Sequence, residues 1–594
     1  MREDLKNKTI NRFYKIGKPH IKKFILIVVL AIIVDVLAAY RPVLIKTIID
    51  EFMQNKVNIR NLKILNKELL ISVNFMAIFY IIVTLIQNLL DFITMKITSI
   101  VGEKILHETR QKIFEFSQKT NIKFQDKTPS GKLFARITSD TDDLAIFFQE
   151  IAIVLFQDIV YIIIISILLF SLNWKLSVIV YLIILICSSI SYIFTKKANL
   201  AYNLAKNART KLNTFLSEAI YGAKTIKIFN IQDIMKKKNK EITNEYVDKL
   251  LYTGKLEAPL AQIVFFFMYL AISIIIAISV KNTFNISIAV GEIYIFITYI
   301  KELFEPINRT IENVEGAQEA VVSLNKICDM IEQDEYLEDF NSGKELKNVK
   351  GKLEFKHVWF KYNDDDEKWI LKDISFTIEP TETIALVGKT GAGKTTITNL
   401  VNRFYEIQKG EILLDGVNIK DIKLKDLRKH IGTVLQDPFI FSGTIKENIE
   451  LYNEKSKDEI EKAIDLASAR DFVDSLPNGI YEMAVERGEN FSVGQKQLIA
   501  FARIFALNPD IFILDEATAN IDTSTEQLIQ KSIDKLSREK TAIFIAHRLS
   551  TIVNVDKILV LRDGRIIEQG KHQELLEQNG YYAKLYNSYY ESLK

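Results

Sequence analysis

A glycine-rich stretch in the second half of the chain constrains the fold more than any other feature. Residues 384–387 are four consecutive apolar residues, typical of a short buried strand, and Gly388-x-x-x-x-Gly393-Lys394-Thr395 follows at once. Glycines let the backbone approach an anion closely because they lack a Cβ atom, and successive N–H groups can then form an anion nest. The helix that follows adds its positive end. The stretch therefore predicts a nucleotide-phosphate site, and a purely structural turn is the alternative.

Every residue of this loop is a predicted nucleotide contact. The residues are Gly388, Lys389, Thr390, Gly391, Ala392, Gly393, Lys394, Thr395 and Thr396. The ammonium group of Lys394 can reach the β- and γ-phosphates, and the hydroxyl group of Thr395 can bind Mg²⁺. ATP and Mg²⁺ are therefore the predicted cofactors.

The chain divides near residue 310 into two unlike halves. Its 594 residues are too many for one ordinary core. The first half has long apolar runs, whereas the second has the composition of a soluble α/β protein. The net charge of +3 gives no sign of nucleic acid, and no such partner is expected. Cys187 and Cys328 are too few for a disulfide framework, which suits a reducing cytosol.

Six apolar segments in the first half are near or above the ~20 residues that a helix needs to cross a bilayer. They are 24–46, 68–95, 145–172, 175–195, 258–281 and 288–307. The connections 96–144 and 196–257 are rich in Lys and Arg, which places them in the cytoplasm; the basic stretch 47–67 departs mildly from that rule. We expect a multi-pass protein of the cytoplasmic membrane, in contact with membrane lipid, whose nucleotide-binding part is cytoplasmic.

The N-terminal residues 2–23 carry eight Lys or Arg and two acids. Aromatic and basic residues alternate over 11–24, which predicts a short helix on the inner leaflet; a solvated basic tail is the alternative. The basic stretch runs into the first apolar segment without a small-residue cleavage site, so no cleavable signal is expected.

Four acidic residues fall within or beside the apolar segments: Asp35, Asp91, Glu150 and Asp158. Charges in lipid are costly, so these side chains should face the bundle interior or a water-filled cavity. One hypothesis is a cavity that accepts cationic groups, above all for Asp35 and Asp158. The other is contact between helices, or a position beyond the hydrocarbon.

Three strand-like runs in the second half end in polar residues, namely Gln436, the pair Asp515 and Glu516, and His547. Gln436 and Asp515 can join Thr395 in holding Mg²⁺. Gln436 can also hold the attacking water, and Glu516 can act as its general base. His547 can contact the γ-phosphate, although a histidine at a strand end is more often an ordinary surface residue. The ordered set argues for a catalytic site.

Two further features concern the nucleotide. Tyr362, upstream of the loop, can stack on adenine with its flat ring, although a tyrosine beside a strand more often packs. Ser492 and Gly494 stand at the start of a second amphipathic helix and can form a second anion site. One chain does not need two sites for one γ-phosphate, but two chains arranged head to tail would use both.

These residues together resemble a family. Phe491, Ser492, Val493, Gly494 and Gln495 resemble the Leu-Ser-Gly-Gly-Gln signature of ATP-binding cassette (ABC) exporters, with Phe491 and Val493 as variations. By the same resemblance Tyr362 is the A-loop tyrosine, Gln436 the Q-loop, Ala519-Asn520-Ile521-Asp522 the D-loop, His547 the H-loop and Glu486-Arg487-Gly488 the X-loop of exporters. Gly131, Arg136, Asp140, Gly291 and Pro306 are similar to positions of the exporter membrane domain.

The resemblance implies an α-helical six-span membrane domain followed by an α/β P-loop ATPase domain. The expected domains are an interfacial segment at 1–23, the membrane domain at 24–310, a linker at 311–350 and the nucleotide-binding domain at 351–594. The resemblance also implies that the tips near Gly131 and 212–218 are coupling helices.

A half-transporter works as a dimer, so the implied partner is a second half-transporter. The D-loop sequence that ends at Asp522 resembles the catalytically intact half of heterodimeric multidrug exporters, which favours a heterodimer. Every nucleotide-site residue is intact, which also permits a homodimer. The expected function is ATP-driven export of a small amphipathic molecule, drug or lipid. An ATP-gated channel or regulatory subunit, or an importer built on the exporter fold, is the alternative.

Overall fold

The computed structural model describes residues 2–54, 67–281, 290–333, 337–364, 366–451, 453–515, 523–545 and 553–591. The chain folds into two compact units. Met1–Ser117 and Ser130–Gln333 form the first, here called the membrane unit; Gln118–Pro129 and Asp334–Lys594 form the second, the nucleotide unit. A short piece of the N-terminal half therefore belongs to the nucleotide unit.

Helices make up the described chain before residue 333. They are α1 (Arg2–Gly17), α2 (Ile21–Gln54), α3 (Lys67–Lys119), α4 (Ile122–Lys127), α5 (Ser130–Ile137), α6 (Ser139–Ile146), α7 (Ala152–Leu172), α8 (Trp174–Tyr221), α9 (Ala223–Ile228), α10 (Gln232–Lys281) and α11 (Val290–Ile331). Phe147–Ile151 is a π-helical turn between α6 and α7. Only Asn173 separates α7 from α8, and its side chain caps α8 by accepting a hydrogen bond from the backbone N–H of Leu176 at 3.3 Å.

Four helical stretches of the described chain are long and apolar enough to cross a membrane. They are Phe75–Lys119, Ser130–Leu172, Trp174–Tyr221 and Gln232–Ser279. Backbone groups satisfy one another within a helix, which is what lets such apolar segments span lipid. The predicted segments at 24–46 and 288–307 lie in α2 and α11, which are not among these four. The helical membrane domain is thus observed, whereas the count of six spans stays a prediction.

One predicted tip is in the wrong place. Residues 212–218 lie inside α8, which continues to Tyr221 because its helical pattern is unbroken, and Gly222 ends it. The short helix α9 follows, so the turn lies about one to three helical turns later than predicted. The chain does break close to the other predicted tip, since α4 ends at Lys127 and α5 begins at Ser130, but Gly131 itself lies inside α5.

The core of the membrane unit lies between α7, α8, α10 and α11. Its fully buried members include Ile165, Val180, Val264 and Phe296, one from each helix. Helix α2 packs on α7 and α11, and the hydroxyl group of Tyr299 donates a 2.6 Å hydrogen bond to the carbonyl of Ala39. Helices α2, α7 and α11 therefore form one packed group.

The N-terminal segment is helical, although α1 covers Arg2–Gly17 and not the predicted residues 11–24, and it is anchored by its own chain. Arg12 is buried and donates to Asn325 at 2.8 Å, to Asp329 at 2.6 Å and to Glu332 at 2.5 Å, all near the end of α11. The ring of Phe13 lies 4.7 Å from that of Phe147. These contacts exclude a freely solvated tail for this part of α1.

The nucleotide unit is built on two main sheets. Its strands are β1 (Leu353–Phe360), β2 (Leu371–Ile378), β3 (Thr383–Val387), β4 (Lys409–Leu414), β5 (Val417–Asn418), β6 (Ile431–Val434), β7 (Gly443–Thr444), β8 (Met483–Ala484), β9 (Ile511–Asp515), β10 (Thr541–Ile545), β11 (Lys557–Arg562) and β12 (Arg565–Gly570). The six-stranded sheet has the order β12–β11–β3–β10–β9–β6, and the four-stranded sheet has the order β2–β1–β4–β5.

Helices cover these sheets. They are α12 (Lys394–Val401), α13 (Leu424–His430), α14 (Ile445–Glu450), α15 (Lys457–Leu466), α16 (Arg470–Asp474), α17 (Val493–Leu507), α18 (Thr523–Ser537), α19 (His572–Glu577) and α20 (Tyr581–Glu591). Every side chain of β3 is buried, and alternate residues enter two different cores: Ala385 packs in one, Leu386 in the other. This explains why four of the five residues of β3, at 384–387, are apolar.

The register of the six-stranded sheet decides where polar residues meet. Strands β3, β10, β9 and β6 are parallel neighbours, in which Ile545 pairs with Leu386 and with Asp515, and Leu514 pairs with Val434. All four strands therefore end at the same edge of the sheet, which is where ligands bind in open α/β folds.

Candidate functional site

The predicted phosphate loop leaves the centre of this edge, between β3 and α12. Gly391 and Gly393 have φ angles of 83° and 105°, in the region that favours glycine. A Cβ atom on Gly388 would lie 2.4 Å from the carbonyl oxygen of Leu561, so the loop passes closely over β11. Its glycines are therefore required by backbone geometry and close packing, and the N-terminal end of α12 follows directly.

Lys394 is the buried cation of the loop. Its side chain is 6 % exposed, and its Nζ atom donates to the carbonyl oxygen of Gly388 at 2.6 Å and to that of Lys389 at 3.3 Å. These bonds hold the ammonium group within the loop, where it can stabilise an anion without further ordering. Thr395 is exposed beside it, whereas Thr396 is buried.

Two more predicted residues lie at the same sheet edge. Asp515 is the last residue of β9, half-buried, and the exposed Gln436 stands two residues beyond the end of β6. The Thr395 hydroxyl, the Gln436 amide oxygen and the Asp515 carboxylate are all oxygen donors, the kind that Mg²⁺ prefers. Glu516, His547 and Asp522 lie outside the described residues.

The backbone at Gln436 is held by helix α17. The side chain of Gln497 is 1 % exposed and donates from Nε2 to the carbonyl of Gln436 at 2.6 Å and to that of Leu435 at 3.2 Å. Gln497 was not predicted as a functional residue. Its place two residues after the signature-like stretch was the available sequence signal.

The signature-like stretch forms the start of α17. The hydroxyl group of Ser492 accepts a hydrogen bond from the backbone N–H of Gln495 at 3.2 Å, and the Gln495 side chain accepts one from the N–H of Ser492 at 2.9 Å. This capping box satisfies two otherwise free donors and fixes where the helix begins. Phe491 is buried against Phe472, while Ser492 and Val493 are exposed and Gly494 is buried. An exposed helix N-terminus can bind an anion from a second chain.

The X-loop residues are tied to this helix. Lys496 donates to the carbonyl of Arg487 at 2.9 Å, and Arg487 has a φ angle of 55°. Asn490 accepts from the N–H of Val485 at 3.1 Å and donates to the carbonyl of Met483 at 3.0 Å. A displacement of this loop would therefore also displace the start of α17.

Tyr362 lies beside the phosphate loop. Its hydroxyl group shares a 3.0 Å hydrogen bond with that of Thr396, and its ring meets those of Phe360 and Tyr405 edge to face, each at 5.0 Å between centroids. A cavity of about 620 Å³ opens here, and its lining includes Tyr362, Tyr405 and Arg403. The ring is thus positioned by packing and borders a space that a ligand could enter.

Tyr405 was missed by the sequence analysis. Its hydroxyl group donates to the carboxylate of Asp126 on α4, and Lys123 of the same helix lies 3.6 Å from Asp364. Burial raises the pKa of Tyr405, and the hydrogen bond to Asp126 raises it further. The contact joins α4 to the tyrosine pair at the predicted adenine site.

An exposed apolar groove of about 990 Å³ follows Gln436. Its lining includes Leu435, Phe439 and Phe441, whose exposed fractions are 53 %, 54 % and 48 %. Beneath it, Arg503 donates to the carbonyls of Asn448 and Phe439, both at 2.6 Å, and burial lowers the pKa of Arg503 to about 10. Contiguous exposed aromatic residues of this kind mark a binding surface.

Comparisons with known proteins agree with this arrangement. The family model described as the ABC transporter transmembrane region matches residues 24–307, and the model described as ABC transporter matches residues 371–519.

Curated relatives cover nearly the whole chain. A putative ABC transporter ATP-binding protein, exp8, of Streptococcus pneumoniae is 35 % identical over 92 % of this chain and 91 % of that protein. A putative multidrug export ATP-binding/permease protein of Staphylococcus aureus is 31 % identical over 97 % of this chain and 99 % of that protein. A probable multidrug resistance ABC transporter ATP-binding/permease protein, YheH, of Bacillus subtilis is 36 % identical over 82 % of this chain and 72 % of that protein.

The fold matches a solved structure as well. The structure of a bacterial Atm1-family ABC exporter with ATP bound has a TM-score of 0.78 and 24 % sequence identity, and the match covers 96 % of this chain and 99 % of that one.

Proposed function

Since this chain belongs to the ABC transporter family, as a half-transporter with its transmembrane region and ATPase region fused, we propose that it exports a small amphipathic molecule, drug or lipid. It is an ATPase coupled to transport. We place it in the cytoplasmic membrane with six spans and with the nucleotide unit in the cytoplasm. The proposed domain limits are 24–310 for the membrane domain and 351–594 for the ATPase domain, joined by a linker.

The observation that carries the proposal is the edge of the six-stranded sheet. The phosphate loop, Gln436 and Asp515 all leave this edge, in a chain that also carries membrane-spanning helices. Binding energy released at one place can therefore move the other within one polypeptide. The name of the Staphylococcus aureus relative, a putative multidrug export protein, supports export as the direction.

Each predicted residue of the nucleotide site has a proposed role in ATP hydrolysis. The loop N–H groups and Lys394 bind the phosphates, and Tyr362 stacks on adenine. Thr395, Gln436 and Asp515 would hold Mg²⁺, which would neutralise phosphate charge. Glu516 takes a proton from the attacking water, which Gln436 orients, and His547 contacts the γ-phosphate.

We propose that two chains form each site. Lys389, Thr390 and the rest of the loop bind ATP on one chain, and residues 491–495 of the other cover its γ-phosphate; Asp522 is a further proposed nucleotide contact. ATP closes this dimer and hydrolysis reopens it. The D-loop favours a second, different half-transporter over a second copy.

The apolar groove beside Gln436 suits transmission of that movement. Tyr221 and Phe229, on either side of α9, are 91 % and 70 % exposed, and the groove presents Phe439 and Phe441. We propose that α9 of one subunit binds the groove of the other, because each surface is apolar and exposed in the single chain.

Transport in inside-out membrane vesicles tests the proposal. ATP should drive accumulation of a cationic fluorescent dye or labelled lipid inside vesicles that contain this chain, and Glu516→Gln vesicles should show none. ATP-driven loss of preloaded dye would indicate import. An ion conductance that ATP opens and that Glu516→Gln preserves would indicate a gated channel.

A further inference from the structure

A charged cluster of two buried carboxyl groups and one partly exposed guanidinium group joins three helices of the membrane unit. Asp35 of α2 and Asp158 of α7 are 8 % and 3 % exposed. Arg309 of α11 lies 2.7 Å from Asp158, between Nη2 and Oδ1. Asp35 lies within electrostatic range of both. The three helices pack on one another, so the cluster sits where their movements meet.

This placement decides between the two hypotheses for these acids. A side chain that faced a central cavity or a partner would be exposed in the single chain, as Ile163 and Ile167 of α7 are, at 53 % and 64 %. Asp35 and Asp158 are instead covered by helices of their own chain. They form helix contacts, and the predicted role of lining a cation-accepting cavity does not fit this conformation.

The cluster contains more acid than base. Asp158 forms an ion pair with Arg309. Asp35 is influenced by the charges of both residues, but it forms no ion pair of its own in the described part of the chain. The Oδ2 atom of Asp35 has no hydrogen-bond partner among the described residues, and neither has the Oδ2 atom of Asp158. Burial of an unpaired carboxylate is strongly unfavourable compared with burial of the neutral acid.

The other charges facing the cluster do not compensate Asp35. Asp91 approaches from α3 and is itself acidic, and Glu305 of α11 adds a further negative charge near Asp158. Glu302 of α11 accepts a 2.8 Å hydrogen bond from Tyr161 of α7, and Arg41 of α2 lies near Glu302. Arg41 also donates to Gln87 at 3.1 Å and Tyr80 at 3.2 Å of α3.

We propose that Asp35 is a proton-binding site whose occupancy depends on the packing of α2 against α7 and α11. In the packed arrangement Asp35 is a neutral carboxylic acid and the charges of Asp158 and Arg309 cancel. When α11 moves and water reaches the carboxyl group, its O–H bond breaks, the proton passes to water and the carboxylate remains. Repacking takes a proton up again.

The sign of the pH dependence follows from this balance. The packed arrangement binds one more proton than the opened one, so acid favours packing and alkali favours opening. The ratio of the two changes at most about tenfold for each pH unit. The site thus links proton concentration to the packing of the three helices. One premise, that ATP drives the movement of α11, rests on the proposed function.

Proton counting tests the site. Purified protein carrying Glu516→Gln, which should close on ATP without turnover, is placed in nanodiscs in weak buffer with a pH-indicator dye. We expect Mg-ATP to release about one more proton per chain than it releases after the further change Asp35→Asn. Asparagine has the shape of the neutral acid, so the packed arrangement should persist.

Substitutions of Asp158 and Arg309 change the expected number of released protons in opposite directions. Asp158→Asn leaves Arg309 free to pair with Asp35, so the extra proton should disappear. Arg309→Gln leaves both carboxyl groups without a cation, so about two extra protons should appear. Asp91→Asn is the control, because this half-buried acid of α3 should leave the count at about one.

Closure is measured in the same samples as ATP retained after gel filtration. Equal proton release before and after the change Asp35→Asn, in samples that retain ATP, would overturn the proton site. Loss of ATP retention in all samples would instead contradict the proposed ATP-driven closure. The infrared carbonyl band of a protonated carboxyl group, expected without ATP and absent in Asp35→Asn, tests the site independently of closure; an unchanged band would overturn it.

Discussion

The two units differ in how far apart in the sequence their functional residues lie. In the nucleotide unit, each functional stretch is contiguous: the loop from Gly388 to Thr396 needs its glycines for backbone reasons, and the start of α17 carries its own capping box. In the membrane unit, the polar contacts join residues that are far apart, such as Asp158 with Arg309 and Arg12 with Glu332. The nucleotide site can therefore be predicted from the sequence, whereas the polar contacts of the membrane unit become visible only in the packed helices.

The largest expected effect tests the contiguous chemistry. Glu516→Gln keeps the size of the side chain and removes its basicity, so ATP turnover should fall by about 100-fold or more while ATP binding persists. Steady-state phosphate release and nucleotide binding measure the two quantities. Turnover within a fewfold of wild type would refute the role of Glu516 as general base.

Lys394→Ala should have the next largest effect, on binding itself. Charge-assisted hydrogen bonds contribute about 1.5–3 kcal/mol, so ATP affinity should fall by roughly 10- to 100-fold. Lys389→Ala is the matched comparison, because that lysine is exposed in the same loop and the variant keeps the backbone N–H group through which the loop is proposed to bind phosphate. Equal losses for the two variants would mean that only the net charge of the loop matters.

A glycine pair compares the two units directly. Gly393→Ala places a Cβ atom on a residue with a φ angle of 105° and 2.6 Å from the Cδ2 atom of Leu371, which should cost about 2 kcal/mol of stability in the nucleotide unit. Gly254→Ala lies in helix α10, where an added Cβ atom meets nothing within 4 Å, and should stabilise by about 0.5–1 kcal/mol. Thermal unfolding measures both, and destabilisation of the same size in each would contradict the assignment of strain to the loop.

The smallest effect concerns Tyr405. Tyr405→Phe keeps the ring that packs on Tyr362 and removes the hydrogen bond to Asp126, so ATP affinity should hardly change while α4 loses about 1–3 kcal/mol of protection. Hydrogen exchange of residues 122–127 measures that protection. Tyr405→Ala, which removes the ring as well, should also weaken ATP binding. Unaltered exchange in both variants would show that α4 is held by other contacts.

Contiguous stretches could be predicted from the sequence better than long-range contacts. Strand β3, the loop and the start of α17 were predictable because local rules, such as φ above zero at Gly393 and a serine cap at Ser492, dictate them. The second tip was misplaced because helical periodicity does not mark where a long helix ends; Gly222 was the signal.

The long-range contacts followed no local rule. Tyr405 and Asp126 are 279 positions apart, and the residues around each give no sign that the two side chains are in contact. The acids Asp35 and Asp158 were singled out as costly in lipid, but their burial and the partner Arg309 depend on how α2, α7 and α11 pack. Pairings of this kind need the assembled helices.

The most direct test of the account is the ATPase rate of the purified chain in lipid nanodiscs, measured together with the mass of the assembly and with cationic drugs and lipids added. We predict a dimer, formed by two copies of this chain or by this chain and a second half-transporter. A transported compound should stimulate its turnover, and Glu516→Gln should abolish it. A stable dimer that binds ATP and yet shows the same phosphate release with and without Glu516 would contradict it.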